Sequence, residues 1–169
     1  MTFIEDRAIF QNASRDQLRA HFQPWARNAY RAENPRVTGD LDPEVDAPPR
    51  YGYFVQVDED VLSSVVDGEG LVGRRGMRSS YVNFVNGWWM SYGERYARSR
   101  DPRWKCIAES EVEEDLEPVD GCVEFNVGWM MLDPIDISVE FYHDVGWGEE
   151  FWFGAVSAAA WGLFLVDGL

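Results

Sequence analysis

Residues Cys122–Phe141 read CVEFNVGWMMLDPIDISVEF, and their alternation decides the fold. Val123, Phe125, Val127, Trp129 and Met131 alternate with Cys122, Glu124, Asn126, Gly128 and Met130. Beyond Asp133-Pro134, Ile135, Ile137, Val139 and Phe141 alternate with Asp136, Ser138 and Glu140. A period of two marks a half-buried strand, so the segment predicts an antiparallel hairpin. Both apolar sets are odd-numbered, and a one-residue slip would turn every side chain to the opposite face. The connection must therefore be of odd length, Leu132–Pro134, which pairs Met131 with Ile135 and Phe125 with Phe141. The same register gathers Glu124, Asp136 and Glu140 on the outer face.

Strands are also expected on either side. Glu149–Val156 reads as a returning strand, and Trp104–Ala108 as a short one before an acidic loop at 109–121. Residues 157–166 are apolar all round, a pattern that fits a buried helix or a central strand equally.

The first hundred residues read as mainly helical. Ser14-Arg15-Asp16-Gln17 has the form of a capping box. Leu18, Phe22, Trp25, Ala29 and Tyr30 then recur at helical spacing, which predicts a helix over about 14–32 that Asn34-Pro35 ends. Pro24 inside it predicts a kink or two short helices. Residues 34–50, rich in Pro, Gly and acids, form a loop. Tyr51–Val57 alternates as a strand. Asp58-Glu59-Asp60 then starts a helix whose apolar stripe is Val61, Leu62, Val65 and Val66, and Gly68 stops it. Ser79 or Ser80 caps a further helix, with Tyr81, Val82, Phe84, Val85, Trp88, Trp89, Tyr92 and Tyr96 on one broad face and a Glu94–Arg98 pair. The expected fold is thus a single α+β domain over 1–169. Two to three helices pack on a mainly antiparallel sheet formed by the C-terminal half, whose other face carries the acids.

A chain of 169 residues with 46% hydrophobic and 15% aromatic content can bury its own core, so disorder is excluded. The net charge of −15 is carried entirely by one part of the chain. All 15 basic residues lie between Arg7 and Lys105, balanced by 15 acids, whereas 106–169 holds 15 acids and no Lys or Arg. Such a chain repels phosphate backbones and anionic lipid, which excludes nucleic acid and membrane surfaces as partners. Met1–Asp6 lacks the apolar stretch of a secretory leader, and the longest apolar run, Phe151–Val166, is short for a bilayer span. A cytoplasmic protein with Cys106 and Cys122 as reduced thiols is expected.

No motif carries a reaction. Gly68-Glu69-Gly70-Leu71-Val72-Gly73 spells G-x-G-x-x-G, but it follows a helix instead of a strand, which reads as a flexible loop with Arg74, Arg75 and Arg78 as solvated cations or an anion anchor. Asp40, Asp42, Glu44 and Asp46 have calcium-loop spacing, yet Val45 and Tyr51 stand where the turn glycine and bidentate acid belong, so no metal is expected. His143-Asp144 lacks the further ligands of an HD-type metal site. No Ser or Cys has a nucleophile context.

Two functions fit. The first is a non-enzymatic protein-interaction or inhibitor-type module that meets a basic protein partner. Its contacts would be the acidic loop (Glu111, Glu113, Glu114) and exposed aromatics (Trp88, Trp89, Trp129, Trp147). The second is a binder of a small apolar ligand, or an enzyme, with an aromatic-lined pocket. There His143, Asp144 and Glu150 would serve as acid–base groups and Arg74 and Arg75 as the anion anchor. No cofactor is implied by either. Arg15, Arg19, Arg27 and Arg31 form a stripe along the first helix, either solvated or docked on the acidic half, within one protomer or across a homodimer.

Overall fold

The computed structural model describes residues 2–41, 48–66, 80–110, 118–124, 126–145 and 152. Among these the chain is α+β, with helices packed on an antiparallel sheet. The elements are α1 (Arg7–Phe10), α2 (Arg15–Glu33), α3 (Pro49–Gly52), β1 (Tyr53–Gln56), α4 (Glu59–Val66), β2 (Val82–Asn86), α5 (Tyr92–Ser99), α6 (Pro102–Ser110), β3 (Trp129–Leu132), a 3-10 turn (Pro134–Asp136) and α7 (Val139–Val145).

Helix α2 begins as its capping box dictates. Ser14 Oγ accepts from the Gln17 backbone N–H, and Gln17 Oε1 accepts in return from the Ser14 N–H at 2.8 Å. The Asn34 N–H closes the last turn on the Tyr30 carbonyl before Pro35. Of the two outcomes expected at Pro24, division into two short helices does not occur, and α2 runs on through it. Pro24 and Ala20, whose carbonyl loses its donor, are both exposed, so water can take the missing hydrogen bond.

The sheet runs β1-β2-β3, antiparallel throughout. Successive residues of β1 point to opposite faces. Tyr53 and Val55 join a cluster with Val61, Phe84, Leu132, Phe141, Val145 and Trp152, while Phe54 joins Phe22, Ala26, Leu41 and Tyr51. Both faces are therefore covered by apolar side chains, and neither is the acidic outer face that the alternation predicted. On the second face Tyr51 donates from its hydroxyl to Glu33 and Arg50 pairs with the same carboxylate, tying α3 to α2. These two hydrogen bonds, Arg50's the larger, hold the Glu33 pKa below its ordinary value.

Four expected elements differ. The helix expected across Tyr81–Tyr96 is strand β2 followed by a turn and α5. A strand covered on both faces needs apolar residues on both, which reproduces the i, i+1, i+3, i+4 spacing of a helical face. Gly87 provides the break. It is buried, and a Cβ there would overlap the Phe22 ring. Gly87→Ala is therefore expected to lower stability by about 1–3 kcal/mol through overpacking. Urea unfolding read by tryptophan fluorescence would expose the error if the midpoint stayed put.

The strand expected at Trp104–Ala108 is helix α6, started by Asp101-Pro102. Asp101 Oδ1 accepts from the Arg103 N–H, and proline is well placed in a first turn.

The hairpin expected over 122–141 does not form. β3 pairs with β2, Met131 opposite Asn83 and Leu132 opposite Val82, and Ile135–Phe141 is a 3-10 turn leading into α7. Gly128, at φ +74°, bends the backbone just before β3 and resets the alternation. The even-numbered Met130 and Leu132 are buried while Met131 is exposed, the reverse of the expected parity. Asp133 accepts from the Ile135 N–H, and Ser138 Oγ from the Phe141 N–H, so both nucleate helical turns. Glu124, Asp136 and Glu140 consequently sit on separate elements. Glu124 is drawn to the N-terminus of α5, where it accepts from the Tyr92 N–H at 2.8 Å.

Asp58 caps α4 as expected, accepting from the Val61 N–H, and also holds Asn83 of the central strand. The predicted stripe of α4 is not its buried face, however. Val61 and Ser64 point inward, with Ser64 Oγ accepting from the Tyr81 N–H, while Leu62, Val65 and Val66 are exposed. The strand expected at Glu149–Val156 and the segment 157–166 lie outside the described residues, apart from Trp152, whose side chain is buried against Tyr53.

Candidate functional site

Three of the four nominated tryptophans lie along one side of α2, each beneath an arginine of that helix. The Arg15 guanidinium carbon lies 3.5 Å from the Trp129 ring centre, that of Arg19 4.8 Å from Trp89, and that of Arg27 4.8 Å from Trp88. The spacing follows from α2 itself, since residues four apart stand on one face. Flat, weakly hydrated guanidinium groups stack on indoles readily.

Hydrogen bonds fix this ladder. Arg19 is buried and donates to the carbonyls of Asn86 at 3.1 Å and Gly128 at 3.2 Å and to Asp16 at 2.8 Å. Burial lowers its pKa, the largest influence on it, with Asp16 acting the other way. Arg27 donates to the Leu41 carbonyl, Arg31 pairs with Asp40, and Arg15 pairs with Asp120 at 2.6 Å. The Trp88 indole N–H donates to the Tyr51 carbonyl at 2.7 Å. The two readings of the arginine stripe divide between its members: Arg15 docks on Asp120 of the acidic C-terminal part within the protomer, Arg19 and Arg27 turn onto tryptophans and backbone carbonyls, and Arg31 is exposed beside Asp40.

The ladder ends in a cleft of about 130 Å³ between the start of α2 and the 119–127 loop, lined by Arg15, Arg19, Trp89, Asp120 and Cys122 among others. Two arginines face Asp16 and Asp120 there, so the charges balance. Desolvation raises the Cys122 thiol pKa, which keeps it a neutral thiol. Small-molecule sites usually enclose about 300–1,000 Å³. This cleft is smaller, and its indole faces are already taken by guanidinium groups.

The other nominated residues are dispersed. His143 is exposed and Asp144 half-buried, both in the last turn of α7 instead of on a strand. Arg74, Arg75, Glu111, Glu113, Glu114, Trp147 and Glu150 lie outside the described residues, as do the glycine motif and Asp42, Glu44 and Asp46. Cys106 and Cys122 are unbridged, with Cys106 exposed on α6. Among the described residues no three His, Cys, Asp or Glu side chains gather as metal ligands would. No helix there is long and apolar enough to cross a membrane.

One surface escaped the sequence reading. In the segment from the end of β3 to α7, Met131 is 39% exposed, Ile135 66% and Val139 83%. Asp133, Asp136, Glu140 and Asp144 are interspersed with them, and no Lys or Arg occurs anywhere in 106–169. Serving as the buried face of a hairpin was the expected role of Met131, Ile135 and Val139. The overlooked signals were Asp133-Pro134 and Ser138, both helix-start residues.

No protein-family model, curated protein sequence or solved structure matches this chain.

Proposed function

We propose that this chain is a non-enzymatic interaction module that captures a basic protein partner on the acid-rimmed apolar strip from Met131 to Asp144. The observation that carries the reading is the exposure of Ile135 and Val139 between Asp133, Asp136 and Glu140 in a stretch of chain without cations. Exposed aliphatic side chains interspersed along the chain with carboxylates of one sign suit a partner segment with apolar anchors among Lys and Arg. The apolar contacts and the charge attraction both supply affinity, and the charges also supply approach rate and choice of partner. The contact is reassigned from the tryptophans to these aliphatics because Trp88, Trp89 and Trp129 are stacked under the arginines of α2.

A fluorescein-labelled amphipathic peptide of Lys and Leu, followed by anisotropy, tests the assignment. Ile135→Ser with Val139→Ser is expected to weaken binding about tenfold, or about 1.4 kcal/mol. Asp136→Asn with Glu140→Gln is expected to flatten its salt dependence. Leu62→Ser with Val65→Ser removes comparable exposed apolar surface from α4 and should leave binding unchanged. Equal losses from the strip and α4 pairs would defeat the proposal, because the peptide would then be adhering to any apolar surface.

A further inference from the structure

The geometry points to a second copy of this chain as an occupant of the strip, held through the basic α5–α6 hairpin. This rests on the reading above that the strip is a contact surface. The α5–α6 hairpin, 92–110, carries Arg95, Arg98, Arg100, Arg103 and Lys105 against Glu94, Asp101 and Glu109, a surplus of two positive charges. Residues 131–144 carry Asp133, Asp136, Glu140 and Asp144 with no Lys or Arg, a surplus of four negative ones.

Arg15, Arg19 and Arg27 of α2 are turned inward onto tryptophans, backbone carbonyls and Asp16 or Asp120. Arg7, Arg31, Arg36 and Arg50 are exposed singly, and among the described residues the hairpin gathers the most outward-facing cations in one stretch. Arg98, Arg100, Arg103 and Lys105 are all exposed. Arg103 pairs with Asp101 and Lys105 with Glu109, surface contacts of small worth that are readily exchanged. The hairpin also has apolar substance to set against Ile135 and Val139. Trp104 is part-buried, stacked on Tyr92 with the Arg95 guanidinium carbon 4.9 Å from its ring centre, and Tyr96 and Ile107 are part-buried too.

Both surfaces stand exposed in the same chain, so neither covers the other. A second copy brings strip and hairpin together, each contact joining unlike patches of the two molecules. Opposite charges then attract across the contact while like-patch encounters repel, which fixes the orientation.

Sedimentation equilibrium on the intact chain tests this. In about 20 mM NaCl the weight-average mass is expected to rise with concentration towards twice that of the monomer or beyond, and to fall back to the monomer in about 0.5 M NaCl, where charges are screened within a few ångströms. Arg100→Ser with Arg103→Ser should abolish association, as should Asp136→Asn with Glu140→Gln. An equimolar mixture of the two variants should regain a one-to-one complex, because one keeps an intact strip and the other an intact hairpin. Circular dichroism spectra matching the wild type would confirm that both variants fold, and Val139→Ser provides an independent break of the strip. A wild-type monomer at every concentration in low salt, or association that survives either pair of substitutions, would overturn self-docking. Strip-dependent capture of the Lys/Leu peptide by a monomeric wild-type chain would leave the interaction reading standing while removing the second copy. Loss of both would remove the strip as a contact altogether.

Discussion

Gly128→Ala is expected to destabilise the fold by about 4 kcal/mol, since it meets two independent penalties. The backbone at Gly128 lies at φ +74°, a conformation that costs a residue with a Cβ on the order of 1–3 kcal/mol. The added methyl would also overlap the Trp89 indole and come within 2.7 Å of Arg19 Nη2, and such overpacking costs roughly 1–3 kcal/mol more. Neither neighbour can yield cheaply. Trp89 is held under Arg19, and Arg19 is held by the Asn86 and Gly128 carbonyls. At roughly 2–4 °C per kcal/mol for a chain of this size, the melting temperature should fall by about 8–16 °C. Gly121, also at positive φ but with open space where its Cβ would go, is the control. Gly121→Ala should show the backbone penalty alone. Equal melting temperatures for the two variants would mean that the Trp89–Arg19 contact does not constrain Gly128.

Replacing Arg19 should cost nearly as much, for a different reason. The side chain is 7% exposed, and its fork joins the end of β2 to the backbone ahead of β3 while stacking on Trp89. Arg19→Met preserves apolar bulk but leaves the Asn86 carbonyl without this donor and removes the stacking. A buried unsatisfied carbonyl costs about 1–3 kcal/mol, and a partly desolvated cation–π contact is worth about 1–2 kcal/mol. The expected loss is about 3 kcal/mol by urea unfolding. Arg19→Lys should recover only part of it, since a single ammonium cannot reproduce the fork that reaches Asn86, Gly128 and Asp16. Arg31→Met removes an exposed pair with Asp40 from the same helix and should shift stability by less than about 1 kcal/mol. If Arg19→Met and Arg31→Met proved equally mild, the ladder would be a surface decoration and the link from α2 to the sheet would lie elsewhere.

The contrast between these two arginines shows where reading along the chain stops. Nothing in the spacing of Arg15, Arg19, Arg27 and Arg31 separates the buried member from the exposed one. Arg19 is buried because carbonyls 67 and 109 residues further along require a donor, a demand that arises only once β2 and β3 have paired. The strip from Met131 to Asp144 was hidden similarly. Its alternation is that of a half-buried strand, and only the bend at Gly128 and the pairing of β3 with β2 turn Met131, Ile135 and Val139 outward.

Signals whose cause lies within a few residues could be read without coordinates. Ser14 with Gln17 started α2, Asn34-Pro35 ended it and Asp58 opened α4, because caps and stops act between near neighbours. The alternation over Tyr51–Val57 is a strand only at Tyr53–Gln56, since Tyr51 and Gly52 belong to α3. The α+β class and the confinement of net negative charge to 106–169 are likewise legible, being sums over the chain. Apolar spacing failed where one pattern serves two structures. Val82–Val85 sits between two apolar layers, so it needed apolar side chains on both faces and mimicked a helix. Strand partners, the inward turn of the arginine ladder and the outward turn of Ile135 and Val139 belong to the tertiary structure, because each depends on which distant segments compete for the same buried surface and the same backbone hydrogen bonds.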